Sequence, residues 1–249
     1  MKRYKHIYGM ALFFIFIMMP GVVHADVFMR HKLHTDACEI MGNKQPARDS
    51  IQTVWITKDK IRTDDGQKSS LVRLDKKVIY FIDHSLKTYY EMPLDVNKAF
   101  GKKGMSAEEE AKFQKFSQGM MKMEITITDT GETKRINKWK CRKYLQHVKA
   151  FMGPMDSEIW ATEELKMDKD LQVQFLSGMM ASMPNMQQSM QKAQREMQKI
   201  KGVPVLSIRT TSIMNSTIKS LQELVEYKDG TAPKGTFDVP KGYNKKQPM

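Results

Sequence analysis

The sequence predicts an α+β protein in which a curved antiparallel β-sheet, an open half-barrel, is closed by a helical lid. Three observations carry that expectation. Period-2 alternation runs along most of the chain, amphipathic helical stripes interrupt it in two places, and about ten strands in one sheet are too many to stay flat. A sheet that curls needs apolar side chains on its concave face, and the helical stripes supply them.

The first 25 residues stand apart from this fold. A basic head, Met1-Lys2-Arg3-Tyr4-Lys5, precedes an uncharged stretch from Ile7 to Val23, and Pro20-Gly21 breaks any helix there. Val23 and Ala25 then present small residues at the −3 and −1 positions, the pattern of a Sec-type signal peptide cut between Ala25 and Asp26. The apolar block is shorter than the ~20 residues a spanning helix requires. No cysteine follows the cut to carry a lipid. Residues 1–25 are therefore expected to be a signal peptide and residues 26–249 a single domain in the periplasm or outside the cell, with no transmembrane segment after cleavage.

Within that domain Met121, Met123, Ile125 and Ile127 alternate with Lys122, Glu124, Thr126 and Thr128, as in a strand with one wet face. Gln52 to Thr57 and Lys77 to Asp83 are β-branched and aromatic runs, the second apolar on both faces. Val27 to Leu33, Leu71 to Leu74, Thr88 to Met92, Lys138 to Val148, Ser157 to Thr162, Val203 to Ser212 and Ile218 to Lys228 read as further strands. Asp64-Asp65-Gly66, Thr130-Gly131 and Asp229-Gly230 read as turns, and the order suggests an antiparallel meander. Ser106-x-x-Glu109 is a capping box ahead of Phe113, Phe116 and Met120. Asp168 to Ile200 carries Leu171, Phe175 and Met179, then after Pro184 a stripe of Met186, Met190, Ala193, Met197 and Ile200. The polar tail from Lys241 to Met249 is expected to fray.

Several segments resemble an uncharacterised family of exported bacterial proteins similar in fold to the periplasmic lipoprotein carriers LolA and LolB. They are Met41 to Ala47, Trp55-Ile56-x-x-Asp59-Lys60-x-Arg62, Gly131 to Asn137 with Cys141 to Tyr144, Glu158 to Thr162, Gly202 to Val205 and Phe237-Asp238-Val239-Pro240-x-Gly242-Tyr243. The resemblance spans nearly all of residues 26–243. It implies a LolA/LolB-like half-barrel with a helical lid, and it brings no catalytic residues.

The composition includes 22 methionines, with Met179, Met180, Met183, Met186, Met190 and Met197 in one helical region. Flexible thioethers serve as core filler, as a compliant pocket for ligands of variable shape, or as soft ligands for Cu(I). Phe175, Met179, Met183, Met186, Met190 and Met197, with Trp55 and Trp160, are the candidate lining of a hydrophobic ligand site. His31-x-x-His34-x-Asp36-x-Cys38 holds metal-ligand residue types, with His34, Asp36 and Cys38 on one face if the stretch is a strand; no fourth ligand stands out, so no metal site is assigned. Cys38 and Cys141 could pair in an oxidising compartment or remain separate small apolar side chains.

The formal net charge is +13. In the densest basic run, Lys138, Lys140 and Arg142 share one strand face while Trp139, Cys141 and Leu145 point the other way. That row would suit anionic headgroups or an acidic partner, or simply be solvated. Nucleic acid is not expected of an exported protein. No nucleophile-elbow, zincin, dithiol, dinucleotide or P-loop motif occurs, so neither an enzyme nor a cofactor is expected. The sequence reading is a non-enzymatic carrier or sensor of an acyl chain, lipid or lipoprotein. The alternatives are a methionine-rich Cu(I)-binding or stress-response protein, and a structural envelope protein with a self-filled core, partnered by an envelope or outer-membrane protein.

Overall fold

The computed structural model describes residues 26–40, 42–94, 124–150, 153–165, 187–213 and 216–247. The signal-peptide segment, the 106–120 helix pattern, and Phe175, Met179, Met183 and Met186 lie outside them. In chain order the strands are β1 (Asp26–Thr35), β2 (Cys38–Ile40), β3 (Asn43–Gln45), β4 (Arg48–Ile56), β5 (Lys60–Asp64), β6 (Lys68–Arg73), β7 (Val78–Asp83) and β8 (Thr88–Pro93). There follow β9 (Glu124–Ile136), β10 (Trp139–Ala150), β11 (Gly153–Thr162), helix α1 (Gln187–Met197), β12 (Val203–Ile213), β13 (Ser216–Gly230) and β14 (Asn244–Lys245).

Twelve strands form one open sheet in the order β14-β8-β7-β6-β5-β4-β1-β13-β12-β11-β10-β9, while β2 and β3 make a separate small hairpin. Two sequential meanders, β4 to β8 and β9 to β13, are thus joined side by side through β1. All pairings in the large sheet are antiparallel except β14 on β8.

This corrects the expected fold class. Among the described residues the chain is nearly all β, with one short helix and no helical lid, rather than α+β. Of the pattern expected from Asp168 to Ile200, the described part forms a helix over Gln187–Met197, and Ile200 lies just beyond it. This helix packs beside the edge strand: Glu196 Oε2 accepts a hydrogen bond from the Ile127 amide at 2.8 Å, and the Tyr144 hydroxyl oxygen accepts one from the Lys201 amide at 3.3 Å. An amphipathic pattern states that a helix buries one stripe; it does not state against what. Here the carboxylate satisfies an edge-strand donor that would otherwise invite another strand.

Local chemistry sets the hairpins. At the β5–β6 turn Asp64 Oδ1 accepts from the Gly66 amide and Asp65 Oδ1 from those of Gln67 and Lys68, and Gly66 takes φ 88°. Thr130-Gly131, expected as a turn between strands, instead lies inside β9 at a register irregularity between Arg142 and Tyr144 of β10. That irregularity interrupts the edge strand. At Gly202 (φ 87°) an added Cβ would lie 2.0 Å from the Thr162 carbonyl oxygen, so only glycine allows the chain to pass there.

Tyr144 stands directly opposite Ile159, and Lys143 opposite Trp160, so the two buried clusters lie on opposite faces of β10 and β11. One joins Ile127, Tyr144, Ile159 and Ala161 with Ile200 beyond α1. The other joins Trp139, Cys141 and Trp160 with Val203, Val205, Leu224, Val27 and Met29. The expected alternation at Trp139 and Cys141 is present, whereas Leu145 is exposed. The C-terminal segment does not fray as expected, because Tyr243 bonds to His84 and Asn244–Lys245 pairs with β8.

Candidate functional site

The continuous register from β1 through β4 to β8 sorts side chains into two faces. On one face runs an uninterrupted cross-strand row: Val27, Ile56, Ile61, Val72, Ile79 and Met92. The row beside it is Met29, Val54, Thr63, Ser70, Phe81 and Tyr90, ending in a stacked Phe81–Tyr90 pair with ring centroids 4.9 Å apart. Val27 and Met29 are buried and the remaining apolar members are half-buried, apart from exposed Tyr90. Next along β1 comes His31, opposite Gln52 on β4 and Leu224 on β13. His31 is only 6% exposed, and its Nδ1 is buried without a hydrogen-bond partner. Burial pushes its imidazole below the ordinary histidine range, so the ring is neutral.

The other face carries the polar staples, set around fully buried Leu71 and Ile82. Its row is Phe28, Trp55, Arg62, Leu71, Tyr80 and Glu91, flanked by Arg30, Thr53, Asp64, Ser69, Ile82 and Tyr89. The Ser69 hydroxyl donates to Asp64 Oδ2 at 2.7 Å and lies 2.6 Å from His84 Nε2, and His84 Nδ1 lies 2.9 Å from the Tyr243 hydroxyl. Because the single Ser69 proton goes to Asp64, Nε2 is the donor to Ser69. That is the reverse of a base activating a serine nucleophile. Burial alone would raise the Asp64 carboxyl. The Ser69 hydroxyl, the Gly66 amide and Arg62 outweigh it and hold the group below the usual carboxylate range. Arg62 also donates to the carbonyls of Thr236 and Asp238, and Arg73 to that of Phe237, which pins the C-terminal segment to the sheet. Beside this network an open polar groove of about 640 Å³ is lined by Arg30, Arg48, Asp49, Thr53, Asp64 and Gln67, among others.

The structure distributes the other expected site residues. Trp55 faces Phe28, centroids 5.0 Å apart, on the polar face and not beside Ile56. Trp160 is 4% exposed, its indole N–H donates to Glu158 Oε1 at 2.6 Å, and Lys134 Nζ lies 3.9 Å from its ring centroid. Met197 is 43% exposed, with its sulfur accepting from Gln146 Nε2 at 3.3 Å. These three do not meet. Met190 lies within α1. The basic row also divides: Lys138 is in the β9–β10 turn with its Nζ 5.1 Å from the Trp139 centroid, Lys140 is exposed, and Arg142 Nε is shared between both Asp129 carboxylate oxygens at 2.7 and 2.8 Å.

Cys38 and Cys141 are both free thiols, so the disulfide weighed from the sequence is not formed; Cys141 is 1% exposed in the core. The strand over 31–38 is also broken: β1 ends at Thr35, and Cys38 opens a separate hairpin. His34 lies instead between Asp49 (2.8 Å) and Asp36 (3.1 Å) as a hydrogen-bonded surface group. Among the described residues no three histidine, cysteine or acidic side chains are grouped to hold a metal, and no helix is long and apolar enough to cross a membrane. Neither the His31–Gln52 pair nor the Ser69–His84 network was legible from spacing. The usable signal for the first was a histidine at an inward position of a strand that alternates Val27, Met29, His31, Leu33.

Among the described residues the molecule is one large open sheet with an aliphatic row on one face and a polar network on the other. The chain belongs to the family described as Domain of unknown function (DUF4412), which matches residues 39–243. No curated protein matches it. A solved structure of PNGF-II in the C2 space group aligns at 11% identity and a TM-score of 0.38, covering 90% of this chain but only 31% of that one.

Proposed function

We propose that this protein is a non-enzymatic, exported binding protein that holds an apolar chain, an acyl or lipid tail, against the aliphatic face of β1 and β4 to β8. The observation that carries the reading is the unbroken row Val27, Ile56, Ile61, Val72, Ile79 and Met92. Val27 is buried in the core, and from Ile56 to Met92 four strand spacings of about 4.8 Å leave a row ~19 Å long. One leaflet's acyl chain spans half of a ~30 Å hydrocarbon core, so the row accommodates a full chain. Removal of that chain from water supplies ~0.8 kcal/mol per methylene. The excess of Lys and Arg over Asp and Glu, 41 against 28 in the full sequence, favours anionic surroundings.

Native mass spectrometry of protein purified from its own cell envelope tests this, together with amide chemical shifts during titration with 1-decanol. Bound lipid and shifts concentrated in β4 to β8 are expected. Val72→Thr, an isosteric change, combined with Ile79→Thr keeps β-branching and should weaken decanol binding about tenfold, since the lost apolar groups amount to ~1–2 kcal/mol. A lipid-free protein whose β4 to β8 amides ignore decanol would overturn the proposal.

A further inference from the structure

We infer that the free edge of β4 over residues 48–52 takes up an extended peptide segment of a partner protein as an added strand. The charges along this edge select a segment that reads apolar, any residue, basic, acidic. β4 pairs with β1 from Arg48 to Ile56, but β5 covers it only from Thr53 onward, because the β5–β6 hairpin turns back at Asp64. The Thr57 amide donates to the Lys60 carbonyl at 2.8 Å, so the alternate residues Trp55 and Thr53 turn their backbone groups toward β5. By the same alternation Ile51 and Asp49 each present an N–H and a C=O to that side, where no backbone partner stands. The outer strands are treated differently: Glu196 takes the Ile127 amide on β9, and β14 pairs with β8.

The groove of about 640 Å³ lies along this edge itself. Arg48 and Ser50 line it from one face of β4 and Asp49, Ile51 and Thr53 from the other, together with the turn over residues 64–67. A strand laid there completes the main-chain bonds of Asp49 and Ile51, the mode by which open sheet edges bind peptides. An antiparallel segment places successive residues opposite Ile51, Ser50, Asp49 and Arg48. Ile51 is 46% exposed and suits an apolar neighbour. Asp49 bonds His34 but otherwise stands in water, and it suits a base. Arg48 is exposed and enters no ion pair among the described residues, so it suits an acid. Opposite charges attract across neighbouring strands and like charges repel, which fixes direction and register.

The test uses the full chain, 15N-labelled, titrated with the hexapeptide acetyl-Thr-Val-Thr-Lys-Glu-Thr-amide and with its charge-swapped form, acetyl-Thr-Val-Thr-Glu-Lys-Thr-amide. Without peptide, the Asp49 and Ile51 amides are expected to exchange freely while β1 protects those of Ser50 and Gln52. The first peptide should slow exchange at Asp49 and Ile51 and bind about fivefold more tightly than the second. Ile51→Pro removes one outward N–H without touching the β1 ladder, and should abolish binding. Arg48→Glu should level the two peptides. Peptides that leave both amides unmoved, or that bind the unaltered protein equally, would overturn the inference. Asp49 and Ile51 amides already protected in dilute protein would do so too. Protection that grows with protein concentration would assign the edge to a second copy of the chain and overturn it likewise. Exchange in the unaltered protein decides the question even if the Pro variant does not fold.

Discussion

Trp160 shows how much one side chain holds together in this protein. Its ring is buried among strands β10 to β12, while its N–H reaches Glu158 and its face carries Lys134, with Lys143 5.6 Å from the centroid. The indole bond is the main reason the Glu158 carboxyl sits below its usual range; partial burial opposes it, and Lys143 adds to it. Trp160→Phe keeps most of the apolar volume and removes that donor. We expect the Glu158 carboxyl to move up toward its ordinary range, read by 13C NMR titration. Stability should fall by about 1.5–3 kcal/mol, the worth of one hydrogen bond to a charged acceptor. Sequence reasoning placed Trp160 on a ligand. The structure gives its polar edge to a carboxylate, because Glu158 lies two positions away on the same strand and therefore shares its face.

At the level of elements, the C-terminal segment after β13 is held to β5 and β6 through arginine side chains bonded to backbone carbonyls. Arg62 donates to Thr236 and Asp238, Arg73 donates to Phe237, and Lys60 Nζ lies 6.0 Å from the Phe237 ring centroid. Arg62→Lys keeps the charge but loses the planar fork. It should cost about 1–2 kcal/mol and raise hydrogen exchange selectively over residues 231–247, which a mass-resolved exchange experiment reads. An unchanged exchange pattern there would show that β14 and Tyr243 hold the segment unaided. This contact joins two of the short motifs that carried the family resemblance. Arg62 and Lys60 belong to one motif, Phe237, Asp238 and Tyr243 to another, and the two meet in space. Likewise Gly202 of a third motif passes over Thr162 of a fourth. Each motif alone is a few residues of ordinary composition; paired, they are the joints of the sheet.

For the whole molecule the pH dependence of stability follows from opposed shifts. Burial lowers the His31 pKa, so below about pH 6.5 the unfolded chain takes up a proton that the folded chain resists, and stability falls as the solution is acidified. His34 is raised, chiefly by its hydrogen bond to Asp49, and favours the folded state on that same acid side. The carboxylates of Asp64 and Glu158, both lowered, stabilise the fold above about pH 4 and lose that contribution as pH falls further. Urea unfolding at pH 7.5 and pH 5.5 separates these windows. His31→Phe should lose less stability between the two pH values than the unaltered protein does. An equal loss in both would show that His31 is as easily protonated when folded as when unfolded.

The sequence by itself determined where most strands lie, since Val27 to Leu33, Thr88 to Met92 and Val203 to Ser212 each sit inside an observed strand, and alternation is a property of neighbours in the chain. It also placed Trp139 and Cys141 inward. The short β2–β3 hairpin and β5 escaped notice because a few polar residues carry no period. Only the tertiary structure decided that α1 guards an edge instead of covering a cavity, that Cys38 and Cys141 stay apart, and that His84 meets Ser69 and Tyr243. Those outcomes depend on which strand lies beside which and in what register. A bulge at Arg30/His31 or Trp160/Ala161 reassigns whole faces without altering the local pattern from which periodicity is read.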